Sequence, residues 1–178
     1  IQEALVTAVP QMNAGYEAAS VYVPAYPGQQ IGGDFYEVFR TENGHIGIVI
    51  GDVAGKGIES AALAAAARNT VRAFAYELSS PGVALSHTNS VLQAHETDFS
   101  RFVTMLLITI EPETGMLSYA RAGHPPAALR RLDGSLEFLA SGNTAVGILP
   151  GLKYETFQDN LDPGDMLVLY TDGIVEAR

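Results

Sequence analysis

Ile46-Gly47-Ile48-Val49-Ile50-Gly51-Asp52, followed by Val53-Ala54-Gly55-Lys56-Gly57 and then by the alanine-rich stretch from Ile58 to Leu78, decides how this chain folds. The apolar run 46–50 is short and rich in β-branched residues, which predicts a central strand ending at Gly51-Asp52. From Ile58 to Leu78 there is neither proline nor glycine, and Val71, Phe74 and Leu78 fall on one helical face. That pattern predicts a long helix packed closely through its small residues. Ser79-Ser80-Pro81-Gly82 stops it, and Ser80 as cap with Pro81 at the first position starts a second helix running to about His95. The two helices form a hairpin.

Outward from this centre the pattern is β. Tyr16 to Pro24 and Asp34 to Phe39 read as strands, and Glu42-Asn43-Gly44-His45 reads as a hairpin turn with Asn-Gly in type I′ geometry. Phe102 to Ile110, Met116 to Arg121, Ala127 to Leu132, Ser135 to Leu139, Lys153 to Phe157 and Met166 to Tyr170 are short apolar or alternating runs parted by turn residues, Asp133-Gly134 among them. Strands, then a helix pair, then strands predict an α+β layered domain with antiparallel sheets.

The sequence has 178 residues, a length suited to one domain with its own core. Acidic residues number 20 against 10 Lys and Arg, and no basic run is interleaved with aromatics, which argues against a nucleic-acid groove or an anionic membrane surface as partner. There is no cysteine, so disulfides, thiolate nucleophiles and cysteine-bound zinc are excluded together. No apolar run approaches the ~20 residues that span a bilayer, and the first residues lack a signal-peptide pattern. A soluble, cytoplasmic domain is expected.

Three aspartates share one setting. Asp34 in Ile31-Gly32-Gly33-Asp34-Phe35-Tyr36, Asp52 after Gly51, and Asp172 before Gly173 each stand in a glycine-flanked stretch beside an apolar strand. Any one alone reads as a turn residue. Together they suggest a cluster: carboxylates within about 5 Å at an effective dielectric of 20 repel by roughly 3 kcal/mol per pair, about two pKa units. Such a cluster calls for cations. All-oxygen ligation suits Mg²⁺ or Mn²⁺, and a two-metal site with a bridging water favours hydrolysis of a phosphoester. Gly51, Gly55, Gly57 and Gly173 allow tight turns in which carbonyls face a metal and N–H groups face a phosphate.

Lys56 reads as a solvated loop charge or as a phosphate contact. His124, in Ala122-Gly123-His124-Pro125-Pro126, reads as a hydrogen-bonded turn residue or as a general acid or ligand. His45, His87 and His95 show no ligand spacing. Gly32-Gly33-Asp34-Phe35 lacks the Glu of a diguanylate cyclase loop, and Gly51 to Lys56 is one residue short of a P-loop and lacks its final Ser or Thr.

Taken in order, Ile31-Gly32-Gly33-Asp34-Phe35-Tyr36, Gly51-Asp52-Val53-Ala54-Gly55-Lys56-Gly57, Phe102-Val103-Thr104-Met105, Ala122-Gly123-His124-Pro125-Pro126 and Leu169-Tyr170-Thr171-Asp172-Gly173-Ile174-Val175-Glu176-Ala177-Arg178 resemble the SpoIIE/RsbU branch of the metal-dependent PPM protein phosphatases. The resemblance runs from about Gln11 to Arg178. It implies an α-β-β-α sandwich, two stacked antiparallel sheets flanked by helix pairs. It also implies removal of phosphate from phosphoserine or phosphothreonine on a partner protein, typically a STAS-type anti-sigma factor antagonist in a bacterial partner-switching pathway. Asp34, Asp52 and Asp172, with the carbonyl of Val53, would hold two Mn²⁺ or Mg²⁺ ions, and a metal-bound water would be the nucleophile. Gly55, Lys56, Gly57, His124 and Gly173 would lie near the phosphate.

Two departures from the family pattern accompany this. Glu37 stands where Asp is common, and a further segment with another metal-binding Asp is expected after Arg178, leaving the second metal site incomplete within this stretch. Ile1 to Pro10 reads as the end of a helical linker from an N-terminal sensor domain, with residues 11–178 as the phosphatase domain, and a homodimer through that linker is a further expectation. The rival reading is a phosphatase-like binding or signal-relay module without turnover.

Overall fold

Alternation along the strands and the burial of two glycines under aromatic rings set up the first sheet. In the computed structural model, which describes residues 15–22, 32–95 and 101–174, β1 (Phe35–Arg40) pairs antiparallel with β2 (Ile46–Val53). Phe35 lies opposite Gly51 and Phe39 opposite Gly47. A Cβ on Gly51 would come within 2.5 Å of the Phe35 ring, and one on Gly47 within 2.5 Å of the Phe39 ring. The two glycines of β2 therefore seat the two phenylalanines, whose rings join the buried core.

β2 then pairs with β3 (Val103–Ile110), β3 with β4 (Met116–Ala122), and β4 with β7 (Phe157–Asn160), all antiparallel, in the order β1-β2-β3-β4-β7. A second sheet holds β6 (Leu136–Leu139), β5 (Ala127–Arg130) and β8 (Met166–Val168), with β5 in the middle. Helices α1 (Ile58–Glu77) and α2 (Pro81–His95) cover one face of the large sheet.

Two cores follow from the period of two. Phe35, Phe39, Val49, Val53, Val103, Met105 and Leu107 point to the helices, where they meet Ala61, Ala64, Ala67, Val71 and Ala75 of α1. These alanines recur at helical spacing and let the helix sit close on the sheet. Ile46, Ile50, Leu106, Ile108, Ile110 and Leu117 point the other way, onto Ala127, Leu129 and Leu139 of the small sheet. Each fully buried Leu or Ile contributes about 1.5–3 kcal/mol of transfer free energy. Because β3 feeds both cores, Met105 to Ile108 have no exposed surface.

The α+β fold with two antiparallel sheets is as expected, and the described residues contain one helix pair. The outer face of the small sheet carries Leu136, Phe138, Met166 and Val168, each at least 42% exposed. At the end of the sandwich away from Asp52, Arg131 donates to Asp159 at 2.7 Å, Asp165 at 3.1 Å, Glu137 at 2.8 Å and the Asn160 carbonyl at 2.7 Å. This binds the small sheet to β7 of the large one.

Several boundaries differ from the sequence reading. Residues 15–22 form no strand, and the rest of the expected strand to Pro24 lies outside the described residues, as do Ile1 to Pro10, Ile31 and Val175 to Arg178. In the first hairpin the Gly44 N–H donates to the Thr41 carbonyl and Gly44 has φ 80°, so Glu42-Asn43 form the turn and Gly44 follows it as a bulge. The strand expected at Lys153 to Phe157 begins only at Phe157. Residues before it turn toward α2 instead, where the Tyr154 N–H donates to the Ser86 hydroxyl at 2.9 Å. Ser80 caps α2 through a 3.4 Å bond from the Val83 N–H.

Candidate active site

The same alternation that builds the inter-sheet core carries four polar residues to its rim. Asp52 follows Ile46, Ile48 and Ile50 on that face of β2, Thr104 precedes Leu106 on β3, and Arg121 follows Leu117 and Tyr119 on β4. Asp34 holds the equivalent place just before β1. The antiparallel register brings these strand ends together: Asp52 lies opposite Thr104, and the pairing of Phe35 with Gly51, carried one residue further, sets Asp34 across from Asp52.

Gly33 is what lets the two aspartates meet. A Cβ there would stand 2.7 Å from the Val53 carbonyl oxygen and 2.8 Å from Asp52 Oδ1, while the Val53 N–H donates to the Gly33 carbonyl at 3.3 Å. The two backbones touch without room for any side chain.

The carboxyls of Asp34 and Asp52 are hydrogen-bonded to each other, and Thr171 also reaches Asp34. Burial, with the Asp172 charge second, raises the Asp34 carboxyl above its usual range. Burial, then the charges of Asp34 and Asp172, pushes Asp52 up to about 7. No cationic side chain is among the groups acting on either. Asp172 itself is exposed, at the start of a 3-10 turn over Asp172–Ile174. It acts on both half-buried carboxyls through charge, yet among the described residues no three acidic or histidine side chains stand at metal-holding spacing.

A cleft of about 490 Å³ opens beside the pair, lined by Asp52, Ala54, Phe102, Thr104, Arg121, Gly123, His124, Pro125, Pro126 and Asp172. His124 is 1% exposed; its Nδ1 lies 3.0 Å from the Thr104 hydroxyl, which lies 3.3 Å from the Asp52 carbonyl. Burial drives the imidazole pKa down to about 4, the Tyr170 main chain lessening the shift and Arg121 adding to it, so the ring is neutral near pH 7. Nε2 is buried without a well-formed hydrogen bond. Gly55 and Gly57 take φ of 118° and 93° in the exposed loop before α1, and Lys56 is exposed between them. Neither these three nor Gly173 lines the cleft. Thr104, Arg121 and Thr171 were not singled out from sequence as site residues. Thr104 and Thr171 stand inside motifs quoted above, while Arg121 carries only the signal of strand parity.

A hard divalent cation fits this donor set: the acceptors are all oxygen, and the half-buried carboxyls resist ionisation for want of positive charge. One consequence is testable in metal-free protein. Because the folded Asp52 pKa lies above its unfolded value of 3.8, the folded state holds the extra proton between about pH 4 and 7, so stability falls as pH rises through that window. Asp52→Asn is expected to stabilise the metal-free protein at pH 8, by roughly 1–2 kcal/mol after solvent screening, with little effect at pH 4. Urea denaturation at the two pH values reads this directly; equal effects at both would contradict it.

Comparison with known proteins adds the following. Residues 42–178 match the family model of Stage II sporulation protein E (SpoIIE). Phosphoserine phosphatase RsbU of Bacillus subtilis is 32% identical over 178 residues, which is 99% of this chain and 51% of that protein. Protein IcfG of Synechocystis is 30% identical over 195 residues, 94% of this chain and 29% of that protein. The solved RsbU and RsbW domains of a Mycobacterium tuberculosis protein superpose with a TM-score of 0.74 at 27% identity, covering 85% of this chain and 42% of that one. The PP2C phosphatase domain of Bacillus subtilis SpoIIE, at 22% identity and a TM-score of 0.71, shares the fold over 82% of this chain and 43% of that one. The chain spans about half or less of the length of these curated relatives.

Proposed function

Because the chain belongs to the SpoIIE family, in its RsbU-like branch of PPM phosphatases, we propose that it hydrolyses phosphoserine or phosphothreonine on a bacterial signalling protein. The observation that carries this reading is the half-buried, mutually hydrogen-bonded pair Asp34 and Asp52, of which Asp52 lines the cleft. Two such carboxyls raise each other's cost of ionisation, which is of use only where positive charge is to be held.

In this proposal Asp34, Asp52, Asp172 and the Val53 carbonyl hold Mn²⁺ or Mg²⁺, two ions in all. Such ions, when bound, supply a nucleophilic water at neutral pH and neutralise phosphate charge. The chain's own residues do the rest. Gly33 fixes the separation of the Asp34 and Asp52 backbones, and Thr104 and His124 hold the Asp52 carbonyl against the Ala122 to Pro126 loop. Gly55, Lys56, Gly57 and Gly173 border the phosphate.

The partner proposed is a phosphorylated STAS-type anti-sigma factor antagonist, in keeping with relatives of the RsbU type and with a solved neighbour that joins RsbU and RsbW domains. A cytoplasmic setting, an N-terminal sensor domain and dimerisation through a linker belong to the same proposal. No helix among the described residues is long and apolar enough to cross a membrane. The rival module without turnover draws support from Asp172, which is exposed and outside the hydrogen-bonded pair.

The deciding assay is release of phosphate from a phosphoserine protein by the full-length protein. Hydrolysis is expected with Mn²⁺ or Mg²⁺ and is expected to vanish in excess EDTA. Full turnover in EDTA would remove the metal mechanism, and binding of the phosphoprotein without turnover at saturating Mn²⁺ would favour the module.

A further inference from the structure

Among the described residues Arg121 is the one cationic side chain lining the cleft, in a chain of formal net charge −10. Asp52 and Asp172 line the same cleft. The guanidinium is held in place: Nε and Nη2 both donate to the Ala140 carbonyl, the first at 3.1 Å, and Nη1 donates to the His124 carbonyl at 2.8 Å. Of its five N–H donors, one on each terminal nitrogen is left over. His124, whose carbonyl Arg121 grips, is 1% exposed and lines the same cleft.

From this geometry we infer that Arg121 forms an oxyanion subsite that binds the phosphoryl group of the substrate in the cleft. The guanidinium is oriented before any ligand arrives, so little side-chain entropy is lost on binding, and a planar fork suits phosphate oxygens better than a point charge does. The inference rests on the phosphoprotein reading for its substrate but on the cleft's own lining for its chemistry.

The experiment is calorimetric titration of inorganic phosphate into the full-length protein with saturating Mg²⁺, for the wild type, Arg121→Gln and Arg121→Lys. Glutamine keeps an N–H for the Ala140 carbonyl and removes the charge; lysine keeps the charge and loses the fork. Phosphate affinity is expected to fall about tenfold or more for glutamine and about threefold or more for lysine, with thermal midpoints near wild type. Should the glutamine variant not fold, the lysine variant decides. Affinity within twofold of wild type in a folded variant overturns the subsite and leaves Arg121 a brace between two loops. A wild type that binds phosphate through Arg121 yet never hydrolyses a phosphoprotein would instead overturn the phosphatase reading and leave the subsite standing.

Discussion

Asp52→Asn is expected to lower phosphoserine hydrolysis on the order of a thousandfold while the protein stays folded. Asparagine is nearly the same shape, so the Val53 carbonyl and the pairing of Asp52 with Thr104 need not move. What disappears is the negative charge that would hold a divalent ion. The charge also burdens the fold, as its pKa of about 7 shows, so one substitution should raise metal-free stability near pH 8 and abolish turnover. Steady-state assays at saturating Mn²⁺, paired with urea titrations, test both halves. A variant with more than a tenth of wild-type kcat would mean that Asp52 is not a metal ligand. Asp34→Asn serves as the companion, since its carboxyl is the other half of the hydrogen-bonded pair.

The second large effect belongs to a residue with no side chain at all. Gly33→Ala places a methyl 2.7 Å from the Val53 carbonyl oxygen and 2.8 Å from Asp52 Oδ1. Neither neighbour is the far end of a flexible chain: one is backbone and the other is a short carboxyl held by hydrogen bonds. The strands must part, costing about 1–3 kcal/mol of stability. Parting them also displaces Asp34 from Asp52, and a misplacement approaching 1 Å costs about a hundredfold in rate. Gly173→Ala is the control for stability, since a Cβ there meets nothing within 4 Å. If Gly33→Ala keeps wild-type kcat and thermal midpoint, the close contact between these backbones has no bearing on the site.

How far the sequence could be read depended on the range of the interactions involved. The apolar run 46–50, the glycine-free helix from Ile58 and the Ser80-Pro81 start are local signals, and the elements they predict stand at those positions. The strand expected at Tyr16 failed within the described residues 15–22, and the one at Lys153 shifted to Phe157, because tertiary contacts compete with β propensity there. Tyr154 gives its N–H to Ser86, and a Cβ on Gly82 of α2 would meet the Tyr154 carbonyl at 2.5 Å, so this segment is claimed by the helix before it can pair in a sheet. The first hairpin differs from the expected type I′ turn for a smaller reason: Glu42-Asn43 form the turn, and Gly44 serves as the bulge after it.

By itself the sequence determined the α+β class and the helix pair and singled out the three aspartates as candidates, since periodicity, proline, glycine and motif order are all written along the chain. Only the tertiary structure decided that Asp34 and Asp52 share a hydrogen bond, that Asp172 stays exposed beside them, and that Thr104, Arg121 and His124 complete one cleft. The reason is register. Which strand ends meet, and which face each residue takes at that end, is fixed by pairing between segments tens of residues apart, and a one-residue slip in any pair would have turned these groups into the other core.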